Sequence, residues 1–160
     1  MSAEKDSGIA QYLAGLIERS GLTYFSDENR VTVRQHMLDA IAATFIGCRS
    51  KVFHDLTQLC PTVSKGSIWP SSGSNRISAL DVGMLWAFAI NASVFEDGSW
   101  EGACHPAAAV IPTVIALSEG KSWEAIDKAV VAGYDVMVCL ARSGNPQFTK
   151  DPMSSPWQTS

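Results

Sequence analysis

Two apolar runs, residues 79–95 and 103–117, constrain this chain more than any other feature. Each is broken by polar residues and falls short of the roughly 20 continuous apolar residues that a bilayer-spanning helix needs. Both are therefore expected to be buried helices. Their junction reads Asn91-Ala92-Ser93-Val94-Phe95-Glu96-Asp97-Gly98-Ser99-Trp100-Glu101-Gly102-Ala103-Cys104-His105-Pro106. An apolar helix runs into a carboxylate pair, a glycine-punctuated loop and a His-Pro step. Titratable groups held between two core helices form a pocket wall rather than a solvent loop.

The rest of the chain supports the same fold class. Ile9, Leu13, Leu16 and Ile17 recur at helical spacing, and Gly21 sits where that helix would stop. Ser26-Asp27-Glu28 offers an N-cap and an acidic first turn to a longer helix ending near Gly47. In that helix Val33, Met37, Leu38, Ile41, Phe45 and Ile46 are expected to share the buried side. Val52 to Leu59 reads as a short helix stopped by Pro61, and residues 61–77, rich in Pro, Gly and Ser, as short strands or an ordered loop. Ser78 with Asp81 resembles a capping box opening a nearly all-apolar, interior helix to about Ser93. Ala107 to Leu117 and a helix capped by Ser122 and running to Arg142 complete the set. The expectation is an all-α, layered helical domain over residues 1–146 with one irregular crossover, then an irregular tail over 147–160.

A hydrophobic fraction of 46% with 18% charged residues suits one folded domain, or part of a larger one. The net charge of -4 comes without a basic stripe, which argues against nucleic acid as the ligand. The four cysteines form no Cys-x-x-Cys pair and follow no signal-peptide pattern, and the amino terminus is not Arg-rich. Those features fit a reducing compartment, with the cytoplasm expected and the mitochondrion left open. Metal-ligand spacings and glycine-rich phosphate loops are missing from the sequence, so neither a metal nor a nucleotide is expected.

Glu96, Asp97, Ser99, Glu101 and His105 place carboxylates, a hydroxyl and an imidazole within ten residues. Proton abstraction beside a carboxylate and protonation of a leaving hydroxyl need such groups in a partly dry site. The same residues also fit a plain helix connection in which Asp97 caps a turn. His105, just before a helix with proline at its first position, faces either a cavity beside an anion-attracting helix N-terminus or a backbone carbonyl at the core's edge. Cys104 points away from its neighbour in an extended stretch, so a Cys-His nucleophile pair is not expected. His36 and His54 lie away from the acidic cluster in sequence and are assigned surface or structural roles.

Four patches in order resemble the MmgE/PrpD family, which includes methylcitrate dehydratase and cis-aconitate decarboxylase. Met37 to Gly47 is similar to that family's Leu-Leu-Asp-Thr-Leu-Gly helix, and Ala87 to Asn91 to the helix before its active-site loop. His105-Pro106-Ala107 with Val110-Ile111-Pro112 resembles its His-Pro-Ser segment, and Ala132 to Val136 its Gly-Tyr-Glu-Val helix. The resemblance implies a lyase needing no metal or redox cofactor, which dehydrates or decarboxylates a citrate- or aconitate-like polycarboxylate. It implies His105 as general acid or base, Asp97 as its orienting or proton-accepting partner, and Ser99 and Glu96 as substrate-binding groups. Where the family's loop reads His-Ala-x-Asp-Phe-Asp-Asp-Thr, Val94 replaces the first Asp, and Ser99 replaces the Thr only after a one-residue shift. Gln158 stands where the family places a second active-site His, so it too is expected at the substrate.

The family's helical domain is completed by a later part of a longer chain, and its lid domain carries basic residues for the substrate carboxylates. Neither lies within these 160 residues. The resemblance therefore also admits a shortened, non-catalytic member. It would present an uncovered apolar face to a second copy or to a full-length relative. Neither a nucleic acid nor a membrane is expected as a partner.

Overall fold

The computed structural model describes residues 8–22, 26–61 and 77–144. It contains six helices among these residues: α1 (Ile9–Leu22), α2 (Asp27–Gly47), α3 (Lys51–Leu59), α4 (Ala79–Ser93), α5 (Pro106–Ala116) and α6 (Trp123–Gly144). No strand occurs among them, so the fold is all-α as expected. The expected short strands near residues 67–69 and the position of Gln158 lie outside the described residues.

Serine caps set most of the helix starts. Ser26 Oγ accepts from the Asn29 amide at 3.1 Å, Ser50 Oγ from Phe53 at 3.1 Å, and Ser122 Oγ from Ala125 at 3.2 Å. Ser78 Oγ accepts from the Asp81 amide and donates to its carboxylate at 2.6 Å, closing the expected box. Each such cap contributes about 1 kcal/mol by satisfying an otherwise orphaned amide. Gly120, at φ 73°, turns the chain between α5 and α6 in a conformation that costs glycine least.

Helix α4 packs between α2 and α5, α6 lies on α5, and α1 lies on α6, while α3 closes over α4. One core cluster joins Val33, Ala40 and Ala43 of α2 to Ile90, Ala107, Ile111 and Val130. A second gathers Phe53, Ile77, Val82, Leu85, Trp86 and Ala89 around α3 and α4.

The buried side of α2 differs from the expected one. Val33, Ala40, Ala43, Thr44 and Gly47 are buried, whereas Leu38, Phe45 and Ile46 are exposed. The cause is a close helix crossing. A Cβ on Gly47 would lie 1.8 Å from the Ala89 carbonyl oxygen, so small residues had to take the contact. Helix α4 likewise is not interior on every side, since Leu80 and Met84 are exposed.

An ion pair between half-exposed arginines and a buried carboxylate links α2 to α6. Asp127, fully buried, accepts from Arg34 Nη2 at 3.3 Å, with Arg30 Nε at 4.0 Å, and Arg34 lies 5.1 Å over the Trp123 ring. Helix α6 also carries Tyr134, which meets the loop after α4.

Candidate active site

The loop begins with strain. Helix α4 ends on Val94 at φ 59°, a left-handed conformation that crowds a β-branched side chain. Ser93 Oγ steadies the exit by donating to the Ile90 carbonyl and accepting from the Phe95 amide. Residues 99–104 then fold back on themselves. The Ser99 amide donates to the Cys104 carbonyl at 2.9 Å, and the Gly102 amide donates to Ser99 Oγ at 3.3 Å. Glu101 pairs with Arg142 of α6 at 2.9 Å, which anchors the loop while Trp100 at its tip stays exposed.

Asp97 is the hub. Its Oδ1 accepts from the Ala107 amide at 2.9 Å, and its Oδ2 accepts from the Tyr134 hydroxyl at 2.7 Å. His36 Nδ1 lies 3.3 Å from the same Oδ2, and its ring sits 5.4 Å from that of Tyr134. The N-cap position of α5 is His105, which makes no side-chain cap of its own. Asp97 caps that helix from ten residues upstream, where a carboxylate also meets the favourable end of the helix dipole. The helix terminus that the sequence suggested for a bound carboxylate is thus engaged by the protein's own.

His105 receives the other half of Asp97. Its Nδ1 lies 2.7 Å from the Asp97 main-chain carbonyl, and a carbonyl can only accept. Nδ1 therefore carries the hydrogen, and in the neutral ring the lone pair is on Nε2. Of the two sequence alternatives for His105, the backbone carbonyl at the core's edge is the one the geometry shows. The side chain is about a quarter exposed, at 23%.

Glu96 lies on the same side of the ring, with Oε1 3.8 Å from His105 Nδ1 and 3.4 Å from the donating Asn91 Nδ2. Its Oε2 is buried without a hydrogen-bond partner, an arrangement costly enough to invite a donor. Burial, then the hydrogen bond to Asp97, raises the Tyr134 pKa, so its hydroxyl stays a donor. Burial, then the nearby Asp97 charge, raises the Cys104 pKa, leaving a thiol and no nucleophile.

The structure brings Glu96, Asp97 and His105 together and holds Ser99 in the adjacent turn. It adds two residues that the sequence reading missed. His36, placed away from the acidic cluster in sequence, meets Asp97 across the α2 boundary. Tyr134 entered the sequence reading only within the Ala132 to Val136 patch, with no role at the site. Both had a signal: His36 follows Val33 by three residues on the buried stripe of α2, and Tyr134 follows buried Val130 by four. A polar tip on such a stripe requires a partner. His54 is exposed beside Asp55, as a surface role would have it. Among the described residues no group of three or more His, Cys, Asp or Glu is placed to hold a metal ion, and no helix is long and apolar enough to cross a membrane.

An all-α domain with a His-Pro step capped by an upstream carboxylate now has a family to be compared with. Residues 10–154 match the MmgE/PrpD N-terminal domain, and the chain belongs to that family. It is similar to cis-aconitate decarboxylase of Mus musculus, with 26% identity over 114 residues. The similarity covers 69% of this chain but 23% of the mouse protein. No solved structure matches the chain.

Proposed function

We propose that this domain carries the proton-transferring group of a cofactor-independent lyase that dehydrates or decarboxylates a citrate- or aconitate-like polycarboxylate. The observation that carries the reading is the bond from His105 Nδ1 to the Asp97 carbonyl, which makes Nε2 the basic nitrogen of the neutral ring. In a dehydration, Nε2 takes the proton from the carbon beside a carboxylate. The C–H electron pair forms the double bond, and hydroxide leaves the neighbouring carbon. In a decarboxylation, the C–C pair left behind by carbon dioxide takes a proton from the imidazolium. Glu96, whose Oε1 lies 3.8 Å from His105 Nδ1, and Ser99, in the adjacent turn, are the groups assigned to bind the substrate. Asp97 orients His105 rather than taking a proton itself, because both its carboxylate oxygens are already engaged. The similarity to a cis-aconitate decarboxylase supports the substrate class.

The test is turnover of cis-aconitate and of 2-methylcitrate followed by proton NMR. Conversion by the wild type, abolished in His105→Ala, is the expected result. Equal conversion by the variant removes His105 from the chemistry.

A second reading, a non-catalytic partner that pairs with another copy or with a full-length relative, draws on two observations. Leu38 and Ile46 are exposed on α2, and an open apolar groove of about 630 Å³ runs between α1, α5 and α6 past Ile17, Val110, Val114 and Met137. Apolar surface of that kind is commonly covered by protein. A folded, strictly monomeric species in light scattering, alone and mixed with a full-length relative, removes this reading. The four cysteines are free thiols, which suits a reducing compartment, the cytoplasm or the mitochondrial interior.

A further inference from the structure

We infer that Tyr134 is a positioning residue for His105, holding the imidazole in its Nδ1–H form through Asp97. The inference takes its catalytic meaning from the acid-base role proposed for His105. Asp97 is followed by Gly98, so the peptide whose carbonyl meets the ring is free to rotate unless its side chain is anchored. The carboxylate has two close anchors. One, the Ala107 amide at 2.9 Å, belongs to the buried first turn of α5, the helix that follows His105 directly. The other, the Tyr134 hydroxyl at 2.7 Å, stands on α6, which is separately tied to α2 through Asp127 and Arg34. Tyr134 is therefore the anchor that ties the Asp97 carboxylate to a helix not adjoining the loop in sequence. His36 of α2 adds a longer contact at 3.3 Å to the same oxygen.

The geometry also says what Tyr134 does not do. Its hydroxyl meets the Asp97 carboxylate, whereas His105 meets the Asp97 main-chain carbonyl. No proton passes from one to the other by that route. Influence travels as orientation: the anchored side chain fixes the peptide, the peptide carbonyl fixes Nδ1–H, and Nε2 is left as the base. The tautomer of a histidine is set by the bond its other nitrogen makes, so freeing the carbonyl frees the tautomer.

The experiment is nitrogen-15 NMR of the ring nitrogens of the three histidines at alkaline pH, where imidazoles are neutral. The His105 signals are assigned by their loss in His105→Asn. The wild type is expected as the Nδ1–H form. Tyr134→Phe, with its helical circular dichroism intact, is expected to lower the Nδ1–H to Nε2–H ratio about tenfold, the weight of one hydrogen bond. Asp97→Asn, which converts one accepting oxygen to a donor, is read the same way if the phenylalanine variant does not fold. A wild-type Nε2–H form overturns the inference, and so does an unchanged ratio in the folded variant. No substrate enters this measurement. A shifted ratio in a protein without lyase activity keeps the positioning role and removes the lyase reading, while activity with an unchanged ratio does the reverse.

Discussion

Replacing Asp97 with alanine should cost this domain about 3–4 kcal/mol, and the structure says where each part is lost. The α5 cap at the Ala107 amide is worth about 1 kcal/mol. The hydrogen bond from the part-buried Tyr134 hydroxyl to a charged carboxylate adds about 2 kcal/mol, because its loss leaves the hydroxyl without its acceptor. The longer, half-exposed contact from His36 adds a few tenths, about 0.5 kcal/mol at most. Urea unfolding of the wild type, Asp97→Ala, Tyr134→Phe and the double variant measures all of these at once. The midpoint should fall without a change in slope. Because Asp97 and Tyr134 share one bond, the double variant should lose about 1–2 kcal/mol less than the two single losses added together. Losses that add to within about 0.5 kcal/mol refute the contact on which the site's organisation depends.

Val94→Gly should raise stability by about 1 kcal/mol and the melting temperature by a few degrees, since glycine adopts φ 59° without the crowding of a β-branched residue; an equal or lower melting temperature contradicts the strain. Gly47→Ala should destabilise by about 3 kcal/mol or more, because the added Cβ meets the Ala89 backbone rather than a side chain that could turn aside; near-wild-type unfolding would contradict the close crossing of α2 and α4. The raised Tyr134 pKa gives a pH dependence with a definite sign. The protonated phenol favours the fold, so its contribution is complete below the unfolded value near 10 and is lost above it, at up to about 1.4 kcal/mol per pH unit. Tyr134→Phe should therefore lose stability less steeply than wild type as pH rises beyond 10. Parallel curves in urea titrations would refute that.

Three helix starts were legible from a serine whose partner amide lies close in sequence, whereas the Ser50 cap of α3 was not read. Ser26, Ser78 and Ser122 marked the starts of α2, α4 and α6, and the end of α4 at Ser93 was read from the change to polar loop residues. The buried face of α2 was not legible from hydrophobicity, because that measure weights large side chains. The α2–α4 contact instead selects for smallness, so Ala40, Ala43 and Gly47 went inward and Leu38 and Ile46 outward. At the site, Asp97 and His105 are neighbours in sequence, and their chemistry announced them. His36 and Tyr134 reach Asp97 from other helices, and only the stripe each occupies hints at it. That Asp97 serves His105 through its main chain and α5 through its side chain follows from the path of the 97–105 loop, which no residue pattern encodes.

The central claim is that His105 moves a proton to and from the carbon skeleton of a polycarboxylate. Deuterium exchange tests it most directly. The protein is incubated with citrate or tricarballylate in heavy water, and the methylene protons are followed by NMR. Exchange above the uncatalysed rate in the wild type, lost in His105→Ala, is the predicted result. Exchange at the same rate in both proteins, or none above background in the wild type, would contradict it.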